Sequence, residues 1–107
     1  MGVKGDKNSA LSNEVAAEFM DRTAGVEGIT SKKMFGGHGL FYNGGMFGLV
    51  DSKGNCFLKA PEEKVDQYFA SGSEKHSRMP YYFVPNNVWT DKNDFDQWVK
   101  TAIAEVK

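Results

Sequence analysis

The stretch that decides the fold is "KMFGGHGLFYNGGMFG", residues 33–48, in which six glycines interrupt a run of aromatic and aliphatic residues. Two interpretations compete: a loop that cradles a phosphate, and a piece of β-sheet that needs glycine for its shape. The dinucleotide fingerprint Gly-x-Gly-x-x-Gly fails, because Gly37-His38-Gly39 has Tyr42 at the last position, and the Gly-Lys-Ser/Thr of a phosphate loop does not occur. The glycines therefore indicate sheet geometry.

These glycines have separate predicted roles within the sheet. Asn43-Gly44 lies between two apolar runs and predicts a type I′ hairpin, because both residues tolerate the positive φ that this turn requires. Gly39 and Gly48 are expected to permit close packing of a neighbouring element. Residues 36–37 fit either a hairpin turn or a bulge that bends one long strand. A further turn is predicted at residues 51–55.

Apolar residues recur at helical spacing on both sides of this region. One stripe predicts a first helix over residues 12–24, with Ser12 as its cap and Gly25 after its end. Pro61 followed by two glutamates predicts a short second helix. The last segment predicts a long helix capped by Asp91, from one continuous stripe: Phe95, Trp98, Val99, Ala102, Ile103 and Val106. The order is typical of an α+β fold, with helices packed on an antiparallel sheet.

Length and composition restrict the class of protein. The chain has 107 residues, with 13 basic and 14 acidic side chains and a formal net charge of -1. This balance argues against a whole-surface affinity for nucleic acid or anionic lipid. We expect a flexible tail over residues 1–9, one domain over residues 10–107, no membrane span and a cytoplasmic location. The single cysteine, Cys56, fits a reducing compartment.

Residue types suited to metal binding or nucleophilic catalysis are few and scattered. His38, Cys56 and His76 occur singly, without the spacing of a zinc site or a nucleophile elbow. We therefore predict no catalytic residues, no metal site and no cofactor. A small-molecule pocket between the sheet and the helices, lined by Tyr42, His38 and Cys56, stays open as an alternative.

Basic residues gather locally in two places. Lys32 and Lys33 begin the glycine-rich region, and Lys75, His76 and Arg78 precede the aromatic run Tyr81 to Phe83. Cations beside aromatic residues are typical of patches that touch a phosphate backbone or stack a base. We predict these five residues as a candidate surface for nucleic acid or a partner protein, although lysines near strand ends are often simply solvated.

Four stretches in order carry a resemblance to a known family: "SKKMFGGHGLFYNGGMFGLV", "CFLKA", "MPYYFVP" and a terminal helix that contains Trp98. Together they resemble the N-terminal domain of TfoX, also called Sxy, over about residues 10–107. The resemblance implies a two-layer α+β domain of the TfoX/YjbR-like kind, in the order α-β-β-β-α-β-β-α with about five antiparallel strands. Three strands before the short helix imply that Gly36 and Gly37 bend one long first strand.

The resemblance also implies a class of function. Full-length TfoX proteins are transcriptional coactivators of DNA-uptake genes in bacteria and carry a second, C-terminal domain. The family supplies no established catalytic residues. We therefore predict a non-enzymatic protein-interaction module related to bacterial competence regulation, which binds another protein or its own copy. Direct nucleic-acid binding and small-molecule binding are the alternatives.

Overall fold

The structure is a computed structural model that describes residues 3–34, 36–76 and 80–107, with the backbone alone for residues 3–10. Its elements follow in chain order: helix α1 Val3–Arg22, strands β1 Ile29–Met34, β2 Gly37–Tyr42, β3 Gly45–Val50 and β4 Cys56–Lys59, a 3₁₀ turn Glu62–Lys64, helix α2 Val65–Ala70, strand β5 Tyr81–Phe83, helices α3 Asn86–Trp89 and α4 Lys92–Ala104.

The five strands form one antiparallel sheet in the sequential order β1-β2-β3-β4-β5. The predicted hairpin at Asn43-Gly44 is confirmed: the two residues have φ values of 48° and 89°, and Tyr42 pairs with Gly45 on either side of them. The predicted turn at residues 51–55 is confirmed as well, since Val50 pairs with Cys56. The α+β class and the antiparallel five-stranded sheet are therefore confirmed.

The prediction that Gly36 and Gly37 bend one long strand is wrong. Met34 pairs with Gly37, so the chain reverses between them and the predicted first strand is a hairpin of β1 and β2. Gly36 has a φ of 76°, in the left-handed region that glycine enters at no steric cost. Four strands consequently precede the short helix, and β5 follows it, with Lys75 bridged to Tyr82.

A β-bulge sets the direction of one core side chain. Phe41 pairs with Met46 and Leu40 with Gly48, so Phe47 is an extra residue between two ladder pairs. Phe47 is fully buried and lies 6.0 Å, between ring centroids, from Phe19 of α1. The bulge thus turns Phe47 toward the helices.

The core lies between the sheet and a single layer of helices. Phe19 contacts Phe95 of α4 edge-on, with 5.6 Å between ring centroids. The predicted stripe on α4 is confirmed, since Phe95, Trp98, Val99, Ala102 and Ile103 are buried. Asp91 caps this helix as predicted: its Oδ1 accepts a 3.0 Å hydrogen bond from the backbone N–H of Asp94.

The first helix begins earlier than predicted. It starts at Val3, so Ser12 is an interior residue whose side chain is buried, and Ser12 does not cap the helix. Helical apolar periodicity began near Ser12, whereas the residues before it are polar, and that contrast was misread as a helix start. The flexibility of residues 1–9 and the extent of the domain, residues 10–107, stay predictions.

The turn at Gly36 gives a test of the first hairpin. We expect Gly36→Ala to destabilise the protein by about 1–2 kcal/mol. In the left-handed conformation the Cβ of alanine lies too close to the following carbonyl oxygen, whereas glycine has no Cβ. A Cβ at Gly36 would meet only the Cβ of Ser52, at 3.5 Å, so crowding does not contribute. Urea unfolding monitored by circular dichroism measures the change.

Gly25→Ala is the matched control, since Gly25 lacks a positive φ and a Cβ there would meet nothing within 4 Å. Its free energy of unfolding should stay within about 0.5 kcal/mol of the parent value. Equal effects of the two substitutions would contradict the turn.

Candidate functional site

The two faces of the sheet are covered differently. Leu40, Leu58 and Tyr82 belong to the core cluster that packs against the helices. The pairing register places six other residues on the opposite face of the sheet. They are Phe41, Met46, Leu49, Phe57, Tyr81 and Phe83. Among the described residues, the helices place their buried side chains in the core cluster on the first face. We call the second face the open face.

Gly39 shapes the open face at its β2 position. A Cβ built there would lie 2.7 Å from Sδ of Met34 and 2.9 Å from Cε1 of Phe41. Real Cβ atoms do not approach neighbours this closely, so both side chains lie across the space that a larger residue would fill. Gly39 was predicted to make room for a helix or another strand, whereas the structure shows that it makes room for the side chains of Met34 and Phe41.

A groove of about 340 Å³ crosses the open face. Its lining includes Met34, Met46, Leu49, Asp51 and His76. The His76 ring rests edge-on against the buried ring of Phe57, with 4.6 Å between centroids. The groove is apolar over most of its lining, which also includes an imidazole and a carboxylate.

A hydrogen bond from Tyr81 fixes the strand that carries Met46. The hydroxyl of Tyr81 donates to the backbone carbonyl of Met46 at 3.0 Å. Burial raises the pKa of the Tyr81 hydroxyl, which keeps it protonated and able to donate. Because Met46 is held through its backbone, its flexible side chain stays free to adapt to a ligand.

His38 lies on β2 and is held by a residue of α1. Its Nε2 lies 2.7 Å from Oδ1 of Asn13, an acceptor, so Nε2 carries the hydrogen and Nδ1 is unprotonated in the neutral ring. Burial, and secondarily the charge of Lys33, lower the pKa of His38. Nδ1 is buried and has no hydrogen-bond partner in the described chain. The ring is therefore neutral near pH 7.

The structure does not gather the predicted basic residues into one patch. Lys32 and Lys33 lie on β1, whereas Lys75 lies beyond β5 at the other edge of the sheet. Five strand spacings separate them, about 24 Å of sheet at the usual spacing of about 4.8 Å. Lys32 pairs with Gly39 and His76 lies over Phe57, so these two flank the open face. Arg78 lies outside the described residues.

The predicted small-molecule pocket is not assembled either. Tyr42 lines a cavity between α1 and α4, His38 lines the groove on the open face, and Cys56 lines a third cavity near Trp89. Cys56 is buried, and burial raises the pKa of its thiol far above the ordinary value, with a smaller effect of Asp51. A protonated, buried thiol is a poor nucleophile and metal ligand. Within the described ranges, no three His, Cys, Asp or Glu side chains are grouped to hold a metal.

Sequence reasoning missed the residues that form the groove. Met34, Met46 and Leu49 lie in the glycine-rich region and the apolar run after it, which the sequence predicts as sheet, but nothing local to them indicates which face the helices leave uncovered. The alternation of side chains along β3 gives part of this information, because the neighbours Leu49 and Val50 must lie on opposite faces of the sheet. The bulge at Phe47 shifts this alternation by one residue, so alternation alone does not assign the residues before the bulge to a face.

The depressed pKa of His38 predicts a pH dependence of stability. The folded chain binds the proton more weakly than the unfolded chain, whose histidine titrates near pH 6.5, so stability is retained above that pH and lost as the pH falls below it. We expect the free energy of unfolding to decline more between about pH 7.5 and about pH 5 than in His38→Gln. Urea titrations at each pH measure both declines.

If His38→Gln and the parent protein lose stability in parallel over this range, the buried state of His38 is refuted.

Comparison with known proteins identifies the family to which this chain belongs. No described helix is both long enough and apolar enough to cross a membrane. A search of curated proteins finds no match. The family model described as the TfoX N-terminal domain matches residues 21–106, which include every strand, the groove and all of α4. The chain therefore belongs to the TfoX N-terminal domain family.

Proposed function

We propose that this protein is a non-enzymatic protein-interaction module of bacterial competence regulation, and that the open face is its partner-binding surface. The observation that carries the proposal is an apolar sheet face that no described helix covers. A sheet packed on one side only ordinarily presents polar residues to water on the other side. Here Phe57 and Tyr81 on that side are buried, but Phe41, Met46, Leu49 and Phe83 each keep part of their apolar surface accessible. A group of partly accessible apolar residues on one face is typical of a binding surface.

The groove side chains are suited to receiving a partner. Met34, Met46 and Leu49 are half-buried, so each retains apolar surface for a further contact. Two of the three are methionines, whose unbranched, polarizable side chains repack around different shapes. Lys32 and His76 flank this surface and supply the polar rim that specific interfaces have.

A different protein fits the groove better than a second copy of this chain. A two-fold interface sets the same patch of each subunit against itself, so it must be self-complementary. Two concave grooves placed face to face would leave an empty space between them. We infer that the occupant is an apolar segment of another protein, which inserts side chains between Met34 and His76.

Family membership supports the biological context. TfoX proteins regulate DNA-uptake genes, and the TfoX N-terminal domain family is not known as enzymatic. The buried thiol of Cys56 and the separation of Tyr42, His38 and Cys56 also favour binding over catalysis. A regulator of transcription acts where the chromosome lies, so the proposed location is the cytoplasm.

The test compares two leucine-to-glutamine substitutions. Leu49→Gln places an amide in the groove, whereas Leu11→Gln alters a leucine of α1 that is 48% exposed. Affinity capture from lysate of the native host, quantified by mass spectrometry, should recover a partner that Leu49→Gln reduces at least about tenfold, the effect of losing about 1.4 kcal/mol. Leu11→Gln should leave that recovery unchanged.

Transcripts of DNA-uptake genes provide the second measurement. Replacement of the chromosomal gene by the Leu49→Gln form should lower these transcripts, and the Leu11→Gln form should not. Circular dichroism and thermal unfolding establish that both variants fold. A transcript level that is indifferent to Leu49→Gln, or capture that depends equally on both leucines, would refute the proposal.

A further inference from the structure

A second surface, on the helical layer, has a different chemistry from the open face. A trough of about 660 Å³ runs between the end of α1 and the solvent side of α4. One wall is formed by Arg22 to Val26, the other by α4, and Tyr42 of β2 lies between them. Because the helices separate it from the open face, a ligand there does not compete with the groove.

The trough concentrates positive charge in a chain whose net charge is -1. The side chains of its lining have a net formal charge of +3, since Asp96 is the one acidic side chain beside four basic ones: Arg22, Lys92, Lys100 and Lys107. Lys92 is paired with Asp96, with 3.1 Å from Nζ to Oδ2. Lys100 and Lys107 form no ion pair within the described part of the chain. An anionic partner would therefore gain two unpaired cations.

Arg22 occupies a fixed position in this wall. Its guanidinium carbon lies 3.8 Å from the ring centroid of Phe95, and its Nη1 lies 3.6 Å from Oε2 of Glu18. Stacking on a buried aromatic ring holds the planar group at low entropic cost. Arg22 thus presents an ordered cation at one end of the trough.

An apolar strip lies between the cations. Val99 and Ile103 form its floor and are buried, while Val26, at 41% exposure, provides most of the exposed apolar surface. Tyr42 is half-buried beside them. The lining thus combines an apolar centre with a cationic margin, which complements a ligand that has an apolar stripe flanked by acids.

The length of the trough favours a chain segment over a compact ligand. The lining residues on this side lie on one stripe of α4, at 92, 96, 99, 100, 103 and 104, and Lys107 lies three residues beyond the end of the helix. At about 1.5 Å per residue the helical part of this stripe is about 18 Å long. That is the length of a helical segment of about 12 residues, and a helix that lies in a groove contacts it through residues at the same spacing.

We propose that the trough between α1 and α4 binds an acidic amphipathic helix of a partner protein. Its apolar stripe lies on Val26, Val99 and Ile103, and its carboxylates reach Arg22, Lys100 and Lys107. This surface is distinct from the proposed open-face site, so the domain would join two partners, or two segments of one partner.

The probe is a fluorescent synthetic peptide of about 15 residues, with leucines on one helical stripe and glutamates beside it. Fluorescence anisotropy should detect binding at low salt that weakens strongly toward about 1 M salt, where the screening length is about 3 Å. Lys100→Glu/Lys107→Glu should weaken binding at least about tenfold, as for loss of two close charge pairs.

Lys53→Glu/Lys75→Glu is the matched control, because it makes the same change in net charge at two exposed lysines elsewhere. It should alter the affinity by less than about twofold. Leu49→Gln should also leave peptide binding unchanged, so failure of the open-face proposal and failure of this one are distinguishable. Circular dichroism confirms that each variant folds.

Three outcomes would overturn the inference. The two double variants could weaken binding equally, which indicates a general charge effect. A peptide of the same composition with its leucines spread around the helix could bind equally well, which indicates that the apolar strip has no role. Duplex DNA could bind at least as tightly and lose affinity in Lys100→Glu/Lys107→Glu, which assigns the trough to nucleic acid.

Discussion

The contact of Phe19 with Phe47 and Phe95 is the interaction on which the rest of the structure depends. Phe19 is fully buried at the point where α1, β3 and α4 meet, with ring centroids 6.0 Å and 5.6 Å away. These edge-on and tilted contacts join both long helices to the same face of the sheet. The bulge that turns Phe47 toward them is a condition for this arrangement. Both proposed surfaces follow from it.

One-sided packing produces two kinds of surface. The sheet keeps an apolar face because the helices occupy the other one, and Gly39 lets Met34 and Phe41 lie low enough to leave a groove. The helical layer keeps a trough because α1 ends at Arg22 and leaves uncovered the side of α4 that carries Lys100, with Lys107 just beyond the end of the helix. The groove has a mostly apolar lining and the trough a cationic one, so the two proposed ligands would be recognised by different physical criteria.

The sequence was informative where one short segment determines the structure. The α4 stripe and the Asn43-Gly44 turn depend on local spacing and local φ, and both were predicted correctly. Gly36 was misassigned because a bend and a turn both use glycine, and only the pairing of Met34 with Gly37 decides between them. The groove and the trough bring together residues far apart in sequence, and the bulge breaks the alternation that would have indicated the faces. Lys32 and Lys33 lie at the opposite edge of the sheet from Lys75, because adjacency in a sheet follows strand order.

The most direct test of the open face as a partner surface is protection of methionine methyl groups in the complex. With ¹³C-labelled methionine and a soluble paramagnetic probe, NMR measures the solvent contact of each ε-methyl group in the free and bound protein. Binding of the captured partner should shield Met34 and Met46 and leave Met20, on α1, unchanged. Unchanged relaxation of Met34 and Met46 in the complex, or shielding confined to Met20, would contradict the assignment.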